Sequence, residues 1–418
     1  MIVFLLLLLY SVIYFCRTGE YVPFIGQVHF LATIRHEALV ALLLFGVIIL
    51  STEGRRNLGE AFQNGAWKAH VVFLGLTFLS IPFAAWPGNA FSWFVDFFKL
   101  FLFCVMIVAC IRDENEFNKY ILVYIVCMIY IAYGPVQNYL AGTFMYDYAT
   151  NTHRIASPIN FYKNPNVLAA TLLQCVPFIY YRIVHTGLFQ KKLVNGIWIA
   201  VIAMMLFVII ITGSRGGFLV LAGLAFIICY RSSYRKAALV CGLVLAVIGW
   251  FVMGEEYQQR YMTITEMGES DKPAMDRILG LKHGFQMMLS RPVLGVGIGC
   301  YHHARWNMFE YPLWAHSLPG QLMGELGLLG TVTFVVFIFQ FFKNTRQTRR
   351  NLAENGMQSS MLAYHALALE ASMFAQIVNG IGQHSLYLFG FYVMSALSVV
   401  LLRITKYKVK ALTIEDEK

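Results

Sequence analysis

Long apolar segments recur along this whole chain, and they restrict it to a membrane-embedded fold. They run to roughly 14–25 residues, close to the length of a helix that crosses a bilayer. Inside a bilayer the backbone polar groups must be satisfied internally, so each segment is predicted to be a helix. The sequence therefore predicts an all-α polytopic membrane protein with about 12 transmembrane helices, at residues 2–15, 36–51, 69–86, 91–111, 120–140, 166–185, 193–212, 216–230, 236–253, 316–342, 362–381 and 384–403.

Composition excludes a soluble protein. The 418 residues are 58% hydrophobic and only 13% charged, about half the charged fraction of soluble domains, so the chain cannot cover a globular surface. The net charge of +10 could suggest a nucleic-acid partner. The basic residues, however, lie in short clusters between apolar segments and form no continuous stripe. We therefore expect no nucleic-acid partner.

Two further features agree with a membrane protein. Most of the eight cysteines lie within or beside apolar segments, and no Cys-x-x-Cys pair occurs, so they are predicted to be buried apolar residues rather than a disulfide framework. Residues 1–15 have neither the basic start nor the small-residue cleavage site of a signal peptide. We interpret them as the first span.

The distribution of Lys and Arg predicts the orientation, because cytoplasmic loops are enriched in these residues. The loops after even-numbered spans, the span ends that adjoin them and the C-terminal tail hold twenty of the 32 basic residues, whereas the short loops after odd-numbered spans hold five: Arg17, Arg35, Arg154, Lys163 and Arg215. Both termini are therefore predicted to be cytoplasmic. Residues 1–418 form a single transmembrane domain in this interpretation, with residues 254–315 as a large, partly helical external loop between spans 9 and 10.

Basic residues on the external side need an explanation, and Arg215 is the clearest case. It lies in Gly213-Ser214-Arg215-Gly216-Gly217, where one predicted span ends and the next begins. The side chain could simply extend to the membrane interface. A fixed cation among glycines also suits a phosphate ligand, because glycines let a ligand approach the backbone closely. We favour the phosphate-binding interpretation.

His316 is predicted at the external boundary of span 10. A histidine accepts a proton near neutral pH, although a single histidine is often a structural residue. Glu325 lies nine residues further along the same predicted span. It could support an external cavity from deeper in the bundle, or it could be a buried structural carboxylate.

Four more basic residues are candidate ligands for anions. Arg277 and Arg291 flank a helix-like segment of the external loop, and two arginines can each bind a phosphate through two hydrogen bonds. Either could instead form a surface ion pair. Arg154 and Lys163 lie in another external loop, where they could extend the anion site or mark an interface. The sequence shows no metal-binding motif, and the glycines at 295, 297 and 299 are only a weak nucleotide signal without a βαβ context.

Four motifs in this order resemble the O-antigen ligase superfamily, which contains O-antigen ligases and related polysaccharide polymerases. They are Gly213-Ser214-Arg215-Gly216-Gly217, the segment around Arg277, Ser290-Arg291-Pro292-Val293-Leu294-Gly295-Val296-Gly297, and Ala315-His316-Ser317-Leu318 through Glu325-Leu326-Gly327. The resemblance covers roughly residues 154–330. Ser317 departs from the commonest pattern, in which asparagine follows the histidine, and this leaves the subfamily open.

The resemblance implies a GT-C type glycosyltransferase of the bacterial inner membrane, with its active site on the periplasmic side. It would transfer a glycan from undecaprenyl diphosphate to lipid A-core without a metal or other cofactor, and with inversion at the anomeric carbon. Arg215 and Arg277 would bind the diphosphate, and His316 would accept the proton of the acceptor hydroxyl. Arg154, Lys163, Arg291 and Glu325 are secondary candidates for substrate binding.

Three alternatives remain open at this point. A polymerase of the same superfamily would use a second polyprenyl-linked repeat as its acceptor. A protein acceptor is disfavoured because no large external domain follows the last predicted span. A transporter or flippase would be expected to show internal repeats and charges at mid-membrane. The sequence shows no repeat, the only charge pair clearly within a span is Asp96 with Lys99, and Glu370 adds one more buried carboxylate.

Overall fold

The fold is described here from a computed structural model, which covers residues 2–20, 36–147, 152–187, 190–231 and 272–416, together with the isolated residues 255, 258 and 262. The described residues contain fourteen α-helices and one short β-hairpin. This arrangement confirms the predicted all-α polytopic membrane architecture. The helices are α1 (Ile2–Cys16), α2 (His36–Leu50), α3 (Thr52–Ala61), α4 (Gly65–Leu79), α5 (Pro87–Cys110), α6 (Glu114–Leu140), α7 (Pro165–Thr186), α8 (Lys192–Ile211), α9 (Arg215–Arg231), α10 (Lys272–Ser290), α11 (Tyr301–Phe309), α12 (Leu318–Glu354), α13 (Met361–Ile381) and α14 (Phe389–Asp416).

Every predicted span except residues 236–253, which lie outside the described residues, overlaps one of these helices. Within the described part of the chain, eight helices are long and apolar enough to cross a membrane, or nine if α2 and α3 form one span bent by 89°. Two shorter apolar helices lie at Ile2–Cys16 and Arg215–Ile228. The total of 12 spans stays a prediction. Of the predicted external loop, the described part contains α10 and α11.

In two of the predicted spans that begin with a histidine, the helix begins later than predicted. His316 precedes the span instead of opening it: α12 begins at Leu318, and Ser317 caps it by accepting a hydrogen bond from the Gly320 N–H. His384 likewise lies in a loop, because α14 begins only at Phe389. Apolar content places the spans, but it cannot locate a helix end that is set by a capping side chain.

One end of the helix bundle is held together by basic and acidic side chains. The buried Arg403 of α14 donates to the carbonyl oxygens of Asn57 and Val108 at 3.2 and 3.0 Å. Lys408 pairs with Glu114 at 2.6 Å. The segments that meet here are those for which the sequence predicts a cytoplasmic location.

The opposite end contains the hairpin β1 (Met145–Asp147) and β2 (Thr152–Arg154), which pair antiparallel, and it also contains α10 and α11. Here Arg291 of the loop after α10 donates to the Phe83 carbonyl oxygen at 2.7 Å. Arg277 of α10 donates to the Gly382 carbonyl oxygen after α13. All candidate site residues except Glu325 therefore lie at or beyond this end of the bundle.

Helix α12 is interrupted at Gly327, whose φ of 61° and ψ of −154° are not helical. The glycine-rich turn at 292–299 uses the opened backbone: Val296 and Gly297 donate to the carbonyl oxygens of Gly324 and Glu325, both at 2.9 Å. The turn thus satisfies backbone groups that the break exposes. Glycines at 295, 297 and 299 permit a close backbone approach. The Gly-x-Gly-x-Gly pattern, which in the sequence is a weak indication of nucleotide binding, therefore serves helix packing in this structure.

Helix α10 packs closely on the beginning of α12 through glycines. A Cβ atom at Gly280 would overlap the carbonyl oxygen of Ala315, and one at Gly284 would overlap that of Gly320. This contact places the Arg277 turn of α10 directly beside the residues that precede α12. The loop helix and the membrane bundle are therefore joined at the His316 position.

Candidate active site

Arg215 is the first residue of α9 and lies at the end of a tight turn. Gly213 adopts a φ of 59°, and the Ser214 hydroxyl accepts a hydrogen bond from the Gly217 N–H at 3.1 Å, which caps the helix. The helix N-terminus carries a partial positive charge, and the arginine adds a full one. This combination of a cation and a helix N-terminus suits an anionic ligand.

Arg154 supports this turn from the neighbouring hairpin. Its guanidinium is buried, and its three nitrogens donate to the Thr212 carbonyl oxygen at 2.8 Å, to Asp147 at 3.1 Å and to Asn166 at 2.8 Å. The backbone of Ile155 adds a hydrogen bond to the Ile211 carbonyl oxygen. In this structure Arg154 therefore joins three segments and determines where the Arg215 turn lies.

Arg277 lies on α10 and reaches the segment Asn379–His384, which ends α13 and continues beyond it. Its Nε atom donates to the Gly382 carbonyl oxygen at 3.2 Å. The Arg215 turn approaches the same segment, because a Cβ atom at Gly216 would lie 3.7 Å from the side-chain oxygen of Asn379. The two arginine-bearing elements therefore border one short segment.

His316 borders this segment as well. Its ring centroid lies 5.3 Å from that of His384, with an edge-to-face angle of 65°. Its φ of 45° is unusual for a residue other than glycine. Burial is the largest effect on the pKa of His316 and lowers it; the nearby Arg277 and Arg305 also lower it, while Asp276 opposes them. The ring is therefore neutral at neutral pH and able to accept a proton.

Arg305 positions the segment that leads to His316, although Arg305 does not stand out in the sequence. It is fully buried and donates to His283 at 2.9 Å and to the carbonyl oxygens of Leu313 and Trp314 at 3.1 and 2.9 Å. The His283 ring stacks on Phe309. These contacts connect α10, α11 and the segment before α12 into one unit.

The remaining predicted site residues occupy three different environments. Lys163 is exposed in the loop before α7. Arg291 is exposed and bound to the Phe83 carbonyl oxygen. Glu325 is fully buried, and one of its carboxylate oxygens accepts from the Gly299 N–H at 2.9 Å and from the Tyr387 hydroxyl at 2.6 Å. Glu325 thus connects the glycine-rich turn to the loop that carries His384.

A cavity of about 1100 Å³ lies beside this site. Its walls come from α1, α2, α5, the start of α12 and the loop before α14. His384, Gln321, Tyr387 and Trp93 line it together with charged residues that include Arg17, Asp96 and Lys99. Asp96 and Lys99 form the predicted ion pair at 2.8 Å, but both side chains are largely exposed. The cavity therefore extends to His384, whose ring contacts that of His316.

The structure thus brings the elements carrying Arg215, Arg277 and His316 to the borders of the segment Asn379–His384. Sequence reasoning missed this segment and His384 in particular, because His384 was interpreted as the first residue of a span. A polar sequence, Gly382-Gln383-His384-Ser385, between two apolar segments was the available signal.

Residues 200–335 match the family model described as O-antigen ligase. Over this segment the chain is similar to the O-antigen ligase superfamily. The matched range contains Arg215, Arg277, Arg291, His316 and Glu325, whereas the segment Asn379–His384 lies outside it. No curated protein matches the chain. The match supports a relationship to the O-antigen ligases and polymerases.

Proposed function

We propose that this O-antigen ligase superfamily member transfers a polysaccharide from undecaprenyl diphosphate to a lipid A-core acceptor, at the periplasmic face of the bacterial inner membrane. One observation carries the proposal: the elements bearing two arginines and a neutral histidine border the same segment, Asn379–His384, at one end of the bundle. Departure of the diphosphate requires cations that stabilise its negative charge, and attack by the acceptor hydroxyl requires a neutral base that accepts its proton.

In the proposed reaction, Arg215 and Arg277 bind the diphosphate of the donor. As the bond between the anomeric carbon and the diphosphate oxygen breaks, negative charge grows on the leaving group, and positioned guanidinium groups stabilise it. Arg215 gains from its place at the start of α9, because the helix N-terminus adds favourable electrostatic potential. Both charges are provided by the protein itself, so the proposed mechanism needs no metal.

His316 acts as the general base in this mechanism. The acceptor hydroxyl attacks the anomeric carbon from the face opposite the diphosphate and gives its proton to the imidazole. The new glycosidic bond therefore has the inverted configuration. Burial and the neighbouring cations keep the pKa of His316 below its ordinary value, so the base is deprotonated before the substrate arrives.

The other predicted ligands receive more specific roles. Arg154 positions the Arg215 turn through the Thr212 carbonyl, and Glu325 positions the glycine-rich turn and Tyr387. Lys163 and Arg291 are exposed at the same end of the bundle, where they are available to contact acceptor phosphates at the membrane surface.

The test is glycan transfer by purified protein in EDTA, with undecaprenyl-diphosphate-linked O-antigen as donor and lipid A-core as acceptor. We expect transfer by the wild type and strong loss in Arg215→Ala, Arg277→Ala and His316→Ala. Arg350→Ala is the matched control, because Arg350 is exposed and paired with Glu354 near the opposite end of the bundle. Longer polyprenyl-linked chains without transfer to lipid A-core would replace the ligase proposal by the polymerase alternative. If neither product forms, both the ligase and the polymerase interpretations are contradicted, and the transporter class is favoured.

A further inference from the structure

Three consecutive residues, Gln383, His384 and Ser385, each carry a buried polar atom that lacks a hydrogen-bond partner in the described part of the chain. The atoms are the Gln383 Nε2, the His384 Nδ1 and the Ser385 Oγ. Gln383 and Ser385 are only 5% and 2% exposed. Buried polar groups are normally paired, and of these three residues His384 lines the cavity, so its unpaired Nδ1 indicates a place where another molecule supplies the partner.

His384 connects this loop with both the cavity and the proposed base. It lines the 1100 Å³ cavity. One face of its ring stacks on Trp314 at a centroid distance of 5.4 Å, and its ring also contacts His316 at 5.3 Å. A molecule that fills this end of the cavity would therefore lie next to the group that accepts the proton.

The cavity wall combines aromatic surfaces with hydrogen-bonding groups. Trp93, Tyr387 and Gln321 line it; the Trp93 ring centroid lies 5.8 Å from that of Tyr387 and 5.9 Å from that of Trp314, which packs behind His384. Apolar walls with a few convergent polar groups are typical of small-ligand sites. A sugar ring matches such a surface, because it offers C–H groups on its faces and hydroxyl groups at its edge.

The charges that line the cavity favour a neutral partner over a phosphate in it. They are of both signs: Arg17 and Lys99 contribute cations, and Glu20, Glu37 and Asp96 contribute carboxylates. Burial, with a smaller effect from His316, lowers the pKa of His384 to about 4. His384 is therefore an uncharged imidazole at neutral pH, which can hydrogen-bond a hydroxyl group in either direction.

Building on the proposed function, we propose that His384 is a substrate-contacting and positioning residue: its Nδ1 atom hydrogen-bonds a hydroxyl of the acceptor sugar, and its ring holds His316 toward the attacking hydroxyl. The arginines border the segment Asn379–His384 and bind the donor diphosphate, while the acceptor sugar occupies the cavity. Lipid A-core and a polyprenyl-linked repeat both present such a sugar, so this role applies to whichever acceptor the enzyme uses.

The test separates the hydrogen bond from the ring contact. His384→Phe keeps an aromatic ring between Trp314 and His316 but removes Nδ1, whereas His384→Asn keeps a polar atom near the Nδ1 position and removes the ring. We expect His384→Phe to raise the KM for the acceptor about three- to tenfold, with little change in kcat or in the KM for the donor. We expect His384→Asn to lower kcat mainly, because His316 loses its ring contact. His303→Phe is the matched control, since that histidine packs on Trp86 and does not line the cavity.

Unchanged KM and kcat in His384→Phe would overturn the proposal. Equal changes in the KM for the acceptor and the KM for the donor, together with a lower melting temperature, would also overturn it, because they indicate a purely structural role. Tryptophan fluorescence provides a readout that does not need turnover, because Trp93 and Trp314 lie beside the site. Titration with lipid A-core and, separately, with a polyprenyl-linked repeat should give a weaker apparent affinity in His384→Phe than in the wild type. If the wild type transfers no glycan, the proposed function fails, and the titration still decides whether His384 contacts the acceptor.

Discussion

Arg154 donates a 2.8 Å hydrogen bond to the carbonyl oxygen of Thr212, three residues before the arginine proposed to bind diphosphate. The same guanidinium forms a largely buried ion pair with Asp147 at 3.1 Å. A hairpin residue thus sets the backbone position from which Arg215 extends. This contact joins two parts of the chain that are separated by 58 residues.

Replacement of Arg154 should therefore impair the enzyme through the position of Arg215. Arg154→Ala breaks the largely buried ion pair with Asp147, a change that costs about 3–5 kcal/mol in comparable pairs. We expect a lower melting temperature in detergent and a large loss of transfer. Arg154→Lys keeps the charge, but its single nitrogen cannot reach the three acceptors that the three guanidinium nitrogens bind, so we expect weaker donor binding with a smaller loss of stability. Wild-type donor affinity in Arg154→Lys would contradict this role.

His316 should determine the acid limb of the pH profile. A general base works only when it is deprotonated, so the rate falls as pH drops through its pKa. Burial, Arg277 and Arg305 lower that pKa below the ordinary 6.5, Asp276 acts in the opposite direction, and His384 is neutral beside it. We expect kcat/KM to decline only below about pH 6.5, and His316→Ala to lower kcat roughly 10²- to 10⁴-fold and to abolish this limb. A midpoint above pH 6.5 would contradict the assignment.

Gly280 should tolerate no side chain. An added Cβ would overlap the Ala315 carbonyl oxygen, a backbone atom that cannot rotate away, and Ala315 directly precedes His316. Gly280→Ala should cost about 1–3 kcal/mol of stability through overpacking and should reduce transfer. Gly75→Ala is the control, because nothing lies within 4 Å of a Cβ atom there. Melting temperatures measured in detergent should therefore differ clearly between the two variants.

Glu325 should act through hydrogen bonding rather than through charge. Its paired oxygen accepts from both Gly299 and Tyr387, and a glutamine oxygen can take over this role. We expect Glu325→Gln to keep most of the stability and activity. Glu325→Leu leaves the two donors unpaired and should cost about 1–3 kcal/mol for each. If Glu325→Gln abolished transfer while remaining folded, a direct role of the carboxylate in the chemistry would follow.

The candidate site was only partly predictable from the sequence. Arg215 stands out because it lies among glycines, His316 because it lies at a predicted span boundary, and Arg277 because it flanks a helix-like segment of the predicted external loop. Arg305, His384 and the partners of Arg154 do not stand out, because their roles depend on contacts with residues far away in the chain. The buried guanidinium of Arg305, for example, is recognisable only once Leu313 and Trp314 are seen to receive its hydrogen bonds.

The sequence by itself determined that this chain is a helical membrane protein and where most of its spans lie, because apolar length and the distribution of Lys and Arg are read along the chain without knowledge of contacts. Tertiary structure alone decided where the helices begin and end near the histidines, how α12 breaks at Gly327 to receive the glycine-rich turn, and which residues border the segment Asn379–His384. These features arise from hydrogen bonds and close packing between distant segments, and such contacts leave no periodic signal in the sequence.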